Sequence, residues 1–92
     1  MQITIRCSGQ LRAAIGRGTQ TLELRALGSV ADALRAFADE IAEDARAMLL
    51  DGSGAIQRTL VVAVGSTQVL DLDGHALADG DTVTILHPIS GG

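Results

Sequence analysis

The sequence predicts an α+β fold: a mixed sheet of about five strands with one main helix packed on one face. Three observations predict it. Residues 2–7 alternate, with Ile3, Ile5 and Cys7 set against Gln2, Thr4 and Arg6, as a half-buried strand does. Val30, Leu34, Phe37, Ala38 and Ile41 recur at helical spacing mid-chain. Thr82 to Leu86 alternates again near the end.

Gly9 breaks the first strand, and residues 10–15 form a short linker or one helical turn. Gly16-Arg17-Gly18 is a turn. Thr19, Thr21, Glu23 and Arg25 then alternate with Leu22 and Leu24, a second strand antiparallel to the first. Ser29 opens the main helix, with Asp32 three residues on as a carboxylate variant of the capping box. The helix is expected over residues 30–42, with Asp32, Arg35, Asp39, Glu40 and Glu43 on its polar side. A second short helix is expected over 45–50, then a flexible Asp51-Gly52-Ser53-Gly54 loop. Residues 59–64 are apolar on both faces, as in a central strand. Gly65-Ser66 suits a hairpin turn into a short strand at 68–70. Residues 71–81 are loop, turning at Asp73-Gly74 and Asp79-Gly80. A helical crossover brings a later strand parallel to the first, which is the β-grasp arrangement. Residues 1–87 are the expected folded unit and 88–92 a flexible tail.

The chain closes on His87-Pro88-Ile89-Ser90-Gly91-Gly92. Pro88 has no backbone N–H, so sheet pairing should stop there. Gly91 and Gly92 lack Cβ atoms and fit a slot too narrow for side chains. Ordering five such residues costs roughly 5–10 kcal/mol, so the tail is expected to be mobile alone and ordered inside a partner. The Gly92 carboxylate is the candidate reactive group. By alternation Leu86 points away from Val83 and Ile85. If those two face the helix, Leu86 lies on the open sheet face beside the tail, with Val61 and Ala63 as an apolar partner surface. His87 either lines the partner's entrance or stands in for a proline. A one-residue slip in register would reverse this surface.

Composition excludes several functions. The net charge is −4, no basic run exists, and Phe37 is the only aromatic, so no nucleic-acid partner is expected. The longest apolar run, residues 60–64, is far too short to span a membrane. The N-terminus lacks the apolar core of a signal peptide, and a single cysteine builds no disulfide framework, so a cytoplasmic location is expected. All seven basic residues are arginine, which excludes a P-loop lysine or a lysine nucleophile. Thr21 stands where a dinucleotide fingerprint begun at Gly16 and Gly18 needs glycine. The chain is therefore expected to bind no ATP itself. His75, His87 and Cys7 lack metal-ligand spacing, so no metal is expected. Cys7 reads as a small core residue, because no nearby base or positive site is evident. The acidic run Asp39, Glu40, Glu43, Asp44 reads as a solvated face, with docking to a basic enzyme as the alternative.

Four stretches carry a family resemblance over essentially the whole chain. They are the first strand leading into Gln10-Leu11-Arg12-Ala13-Ala14, the run Ser29-Val30-Ala31-Asp32-Ala33-Leu34, the turn and strand Leu77-Ala78-Asp79-Gly80-Asp81-Thr82-Val83, and the tail Pro88-Ile89-Ser90-Gly91-Gly92. The chain resembles the ubiquitin-like sulfur carriers of the MoaD/ThiS type, nearest to the small subunit of molybdopterin synthase. The resemblance implies that the chain binds no cofactor and is a carrier and not an enzyme, and that a ubiquitin-activating-type enzyme uses ATP to adenylate Gly92. A sulfur donor then makes a thiocarboxylate, with Pro88 to Gly91 threading the partner. In the molybdopterin branch a larger synthase subunit receives the tail. His87 departs from that branch, which often has proline there, and so do Cys7 and Ser8, where aromatics are common. Residues 78–86 resemble the carrier that works with a cysteine synthase. Cysteine, thiamine and tRNA thiolation therefore stay open as destinations, as do a ubiquitin-like modifier role and a binding module that never reacts. With no lysine, the chain cannot build lysine-linked chains of itself.

Overall fold

The computed structural model describes residues 1–86; the expected boundary at residue 87 and the tail 88–92 lie outside the described residues. The elements are β1 (Gln2–Ser8), α1 (Gly9–Ile15), β2 (Thr19–Glu23), α2 (Val30–Ala38), α3 (Glu43–Leu49), β3 (Val61–Val64), β4 (Thr67–Val69) and β5 (Thr82–Leu86). The five strands form one mixed sheet in the order β2-β1-β5-β3-β4. β1 pairs antiparallel with β2 and parallel with β5; β3 pairs antiparallel with both β5 and β4. This is the expected β-grasp order, with β5 in the middle of the sheet.

One face of the sheet is the core. Ile3, Ile5 and Cys7 of β1, Leu22 of β2, Val62 of β3 and Val83 and Ile85 of β5 are all buried. They pack with Leu11 of α1, Val30, Leu34 and Phe37 of α2, and Leu49 of α3 in one cluster. The stretch from Gly9 to Ile15 is thus a helix of seven residues, longer than the linker or single turn expected, seated by Leu11.

The start of α2 is fully satisfied. Ser29 Oγ accepts from Asp32 N at 3.1 Å, and Asp32 Oδ2 accepts from Ser29 N at 2.9 Å, the expected capping box. The two remaining free donors go to the long loop: Val30 N to His75 O at 2.9 Å and Ala31 N to Leu72 O at 3.0 Å. The loop is tied to β1 as well. Asp79 Oδ1 accepts from Gln2 N at 2.7 Å, and Gln2 O accepts from Gly80 N at 2.8 Å. The Asp79-Gly80-Asp81 turn therefore fixes the start of β1 and delivers the chain into β5.

The far end of α2 corrects the sequence expectation. The helix stops at Ala38, not Ala42, and α3 begins at Glu43 instead of Ala45. Electrostatics explains the break. A continuous helix would set Asp39 against Glu43 and Glu40 against Asp44, like charges one turn apart at its negative end. The break moves Glu43 and Asp44 into the first turn of a new helix, where free N–H groups favour them. Asp44 Oδ1 accepts from Ala45 N at 3.0 Å, Asp39 pairs with Arg46 at 2.7 Å, and Glu40 accepts from Gln20 Nε2 at 3.0 Å. Asp39, Glu40 and Asp44 thus each have a partner within the fold, and all four acids of the run are exposed. Smaller corrections concern strand ends: β3 starts at Val61, and β4 covers 67–69 because the Gly65-Ser66 turn pairs Val64 with Thr67.

Candidate functional site

The candidate site is the open sheet face at the end of β5. Strand alternation puts Val83 and Ile85 in the core, each fully buried, and leaves Leu86 44% exposed on the opposite face. Leu86 is the last described residue and the root of the tail. Its register partners are Ser8 on β1 and Val61 on β3. One row in, Thr84 lies between Arg6 and Ala63. Val61 and Ala63 are half-buried on this face. The structure thus brings Leu86, Val61 and Ala63 together, the three described members of the expected partner surface. His87, Pro88, Ile89, Ser90, Gly91 and Gly92 lie outside the described residues.

Around the apolar patch the open face is hydroxyl-rich: Thr4, Ser8, Thr19, Thr21, Thr82 and Thr84. Its charged members in the paired strands are Arg6 near the tail root and Glu23 at the far edge, beside the Met1 amino group at 3.8 Å. Sequence reasoning did not single out Arg6. Its polar phase in the first strand was readable, but its place between Thr19 and Thr84 depends on pairing between distant segments.

Cys7 lies on the other face, buried beneath the helices. Burial pushes its thiol up to about 11, which suits a packing role and not a nucleophile. Among the described residues no polar or charged side chain is buried, and no three His, Cys, Asp or Glu residues are set to hold a metal ion. An open hollow of about 450 Å3 lies at the β4 edge, lined by Arg35, Arg58, Leu60 and Leu70 among others. No helix of the described residues is long and apolar enough to cross a membrane. The described surface thus presents an exposed, partly apolar sheet face at Leu86.

Comparisons with known proteins agree with this geometry. The ThiS family model matches residues 5–92. No curated protein matches the sequence. Among solved structures, the chain is similar to SAMP1 of Haloferax volcanii, at 22% identity over 100% of both chains with a TM-score of 0.86. It is also similar to the HVO 2177 protein of the same organism, at 29% identity over 100% of this chain and 87% of that one, TM-score 0.79. A complex of subunits 1 and 2 of the molybdopterin-converting factor from Helicobacter pylori matches at 22% identity over 100% of both chains, TM-score 0.61. The matches below 25% identity establish the shared fold, and the family model spans nearly the whole chain: the protein belongs to the ThiS family of ubiquitin-like sulfur carriers.

Proposed function

We propose that this protein carries sulfur as a thiocarboxylate on Gly92, made and used by partner proteins in the cytoplasm. The observation that carries the reading is the family match running through Gly92, on a fold whose central strand β5 leads directly into the last six residues. A free carboxylate is a poor acyl donor. Attack by a Gly92 oxygen on the α-phosphorus of ATP, held by an adenylating enzyme, releases pyrophosphate and leaves an acyl-adenylate. A sulfur donor then displaces AMP to give the thiocarboxylate. In this scheme the chain contributes positioning: the open face at Leu86, Val61 and Ala63 docks, and Pro88 to Gly91 thread the partner's slot.

The first destination we propose is molybdopterin synthesis, with a larger synthase subunit receiving the tail. The Helicobacter pylori complex of subunits 1 and 2 supports that pairing by fold likeness. Cysteine synthase partnership, thiamine synthesis and tRNA thiolation are the alternatives within the same chemistry. The deciding experiment is intact mass spectrometry after incubation with the organism's adenylating enzyme, ATP and sulfide. A gain of about 16 Da, sulfur replacing oxygen, is expected. No gain in the presence of demonstrated adenylation would sink the sulfur-carrier reading. A modifier role is the second reading, supported by the fold likeness to SAMP1. Because the chain has no lysine, that role predicts single adducts on other proteins and no self-ladder on a denaturing gel.

A further inference from the structure

The chain is acidic overall, with eleven acidic residues against seven arginines, yet the end of the sheet where β1 and β5 finish is basic. Arg6 sits on the open face, paired with Thr19 and Thr84, one row from Leu86. The backbone of Gly18 is held beside β1 by Cys7 N donating to Gly18 O at 2.8 Å. The Arg12 side chain lies against that glycine: a Cβ there would sit 3.1 Å from Arg12 Nε. Arg17 directly precedes it. Three arginines of one twelve-residue stretch, Arg6, Arg12 and Arg17, thus border residues 17–19 by register, side-chain contact and chain position, and all three are exposed.

None of the three forms an ion pair among the described residues. Arg25, Arg35 and Arg46 do, with Asp32 at 3.4 Å, Asp73 at 3.8 Å and Asp39 at 2.7 Å. Glu40 reaches β2 but is engaged by Gln20. Glu23, the other acid on the sheet, belongs to the opposite end of β2, facing Gln2. Among the described residues, no acidic group thus lies within ion-pairing distance of these three guanidiniums.

We propose that Arg6, Arg12 and Arg17 form a docking rim for an acidic surface on the adenylating enzyme, at the lip of the slot that takes the tail. The proposal rests on the carrier reading above and names the charge its partner must present. Guanidinium groups bind carboxylates through paired, planar hydrogen bonds, so the rim fixes orientation as well as attraction. A protein suits this rim better than a nucleic acid. The net charge of −4 repels a polyanion at distance, and the single aromatic, Phe37, is buried and gives no base a stacking surface.

The test is ATP–pyrophosphate exchange by the organism's adenylating enzyme, with the full chain as substrate. Arg6→Glu and Arg17→Glu, singly and together, are compared with Arg6→Lys and with wild type. Circular dichroism confirms that each variant is folded. The double Glu variant should raise the KM for the carrier about tenfold or more with kcat within about twofold, because charge reversal at a rim acts on encounter and orientation. Wild-type kcat/KM should fall as salt rises, and the variant's should fall less. Arg6→Lys should lie between the two. Wild-type exchange with an unchanged KM and salt slope in folded Glu variants would overturn the rim alone. No exchange with wild type would overturn the carrier reading and the rim together. Binding of wild type to tRNA at physiological salt, lost in Arg6→Glu, would overturn the protein partner. A wild-type dimer abolished by Arg6→Glu would do the same.

Discussion

Val61 and Leu86 are direct register partners across the β3–β5 ladder, on the sheet face that the helices leave uncovered. Their Cβ atoms are neighbours at about 5 Å, so one substitution can alter the open face, the proposed docking surface, without touching the core. Ile85, one residue earlier, is fully buried. Leu86→Asp should leave urea stability within about 1 kcal/mol of wild type, while raising the adenylating enzyme's KM for the carrier. Ile85→Ala should cost about 3 kcal/mol through lost burial and a cavity. Equal destabilisation by both would contradict the assignment of faces.

The break between α2 and α3 makes a second prediction. Glu43 and Asp44 sit in the first turn of α3, where each stabilises by about 0.5 kcal/mol. Glu43→Lys with Asp44→Lys should therefore lower stability by about 1 kcal/mol, read from urea midpoints. In an unbroken helix the same change would remove like-charge repulsion and raise stability, so the sign alone distinguishes the two structures.

Asp32 links stability to pH. Its carboxyl is held below the ordinary 3.8, first by the Ser29 N–H it accepts, with the Ser29 hydroxyl and Arg25 adding to the effect. A carboxyl depressed on folding stabilises above its unfolded value and loses that contribution as pH falls through the folded value. Asp32→Asn should accordingly be less stable than wild type at pH 7. The gap should close as acid takes the pH below about 3.8 and through the lowered value. Thermal melts from pH 7 to pH 2 measure it; a constant gap would contradict the assignment.

Among the described residues, Leu27 is the one non-glycine residue in the left-handed region, at φ 66°, and it is 86% exposed. It holds a strained conformation and buries almost nothing in return. Leu27→Gly should raise stability by about 0.5–1 kcal/mol, strain relief exceeding the added entropy of the unfolded chain. The Tm of the variant checks the sign.

The features readable in sequence were the local ones. Alternation in β1 and β5 and the Ser29–Asp32 box depend on neighbours within a few residues, and they appear where expected. The end of α2 was misplaced because Ile41 continues the apolar stripe; the signal for the break was the spacing of Asp39, Glu40, Glu43 and Asp44. Residues 10–15 were ambiguous because a single buried residue, Leu11, decides that they form a helix. The Leu86–Val61–Ala63 surface was legible once Val83 and Ile85 were assigned to the core. The approach of Arg12 to Gly18, next to the residue that Arg6 faces, was not. It depends on Gly18 lying beside Cys7, a contact that no periodicity encodes.

The placement of β5 between a parallel and an antiparallel neighbour has a mechanical consequence. A partner that grips the chain beyond Leu86 and pulls along the strand loads both ladders in shear. Thr4–Thr82 through Ser8–Leu86 on one side and Val61–Leu86 through Val64–Val83 on the other resist together. Hydrogen bonds perpendicular to the pull must then yield as a group, not one at a time as in a peeled edge strand. Under such a load the two ladders hold β5 in the sheet from both sides, so the strand cannot leave without breaking both at once.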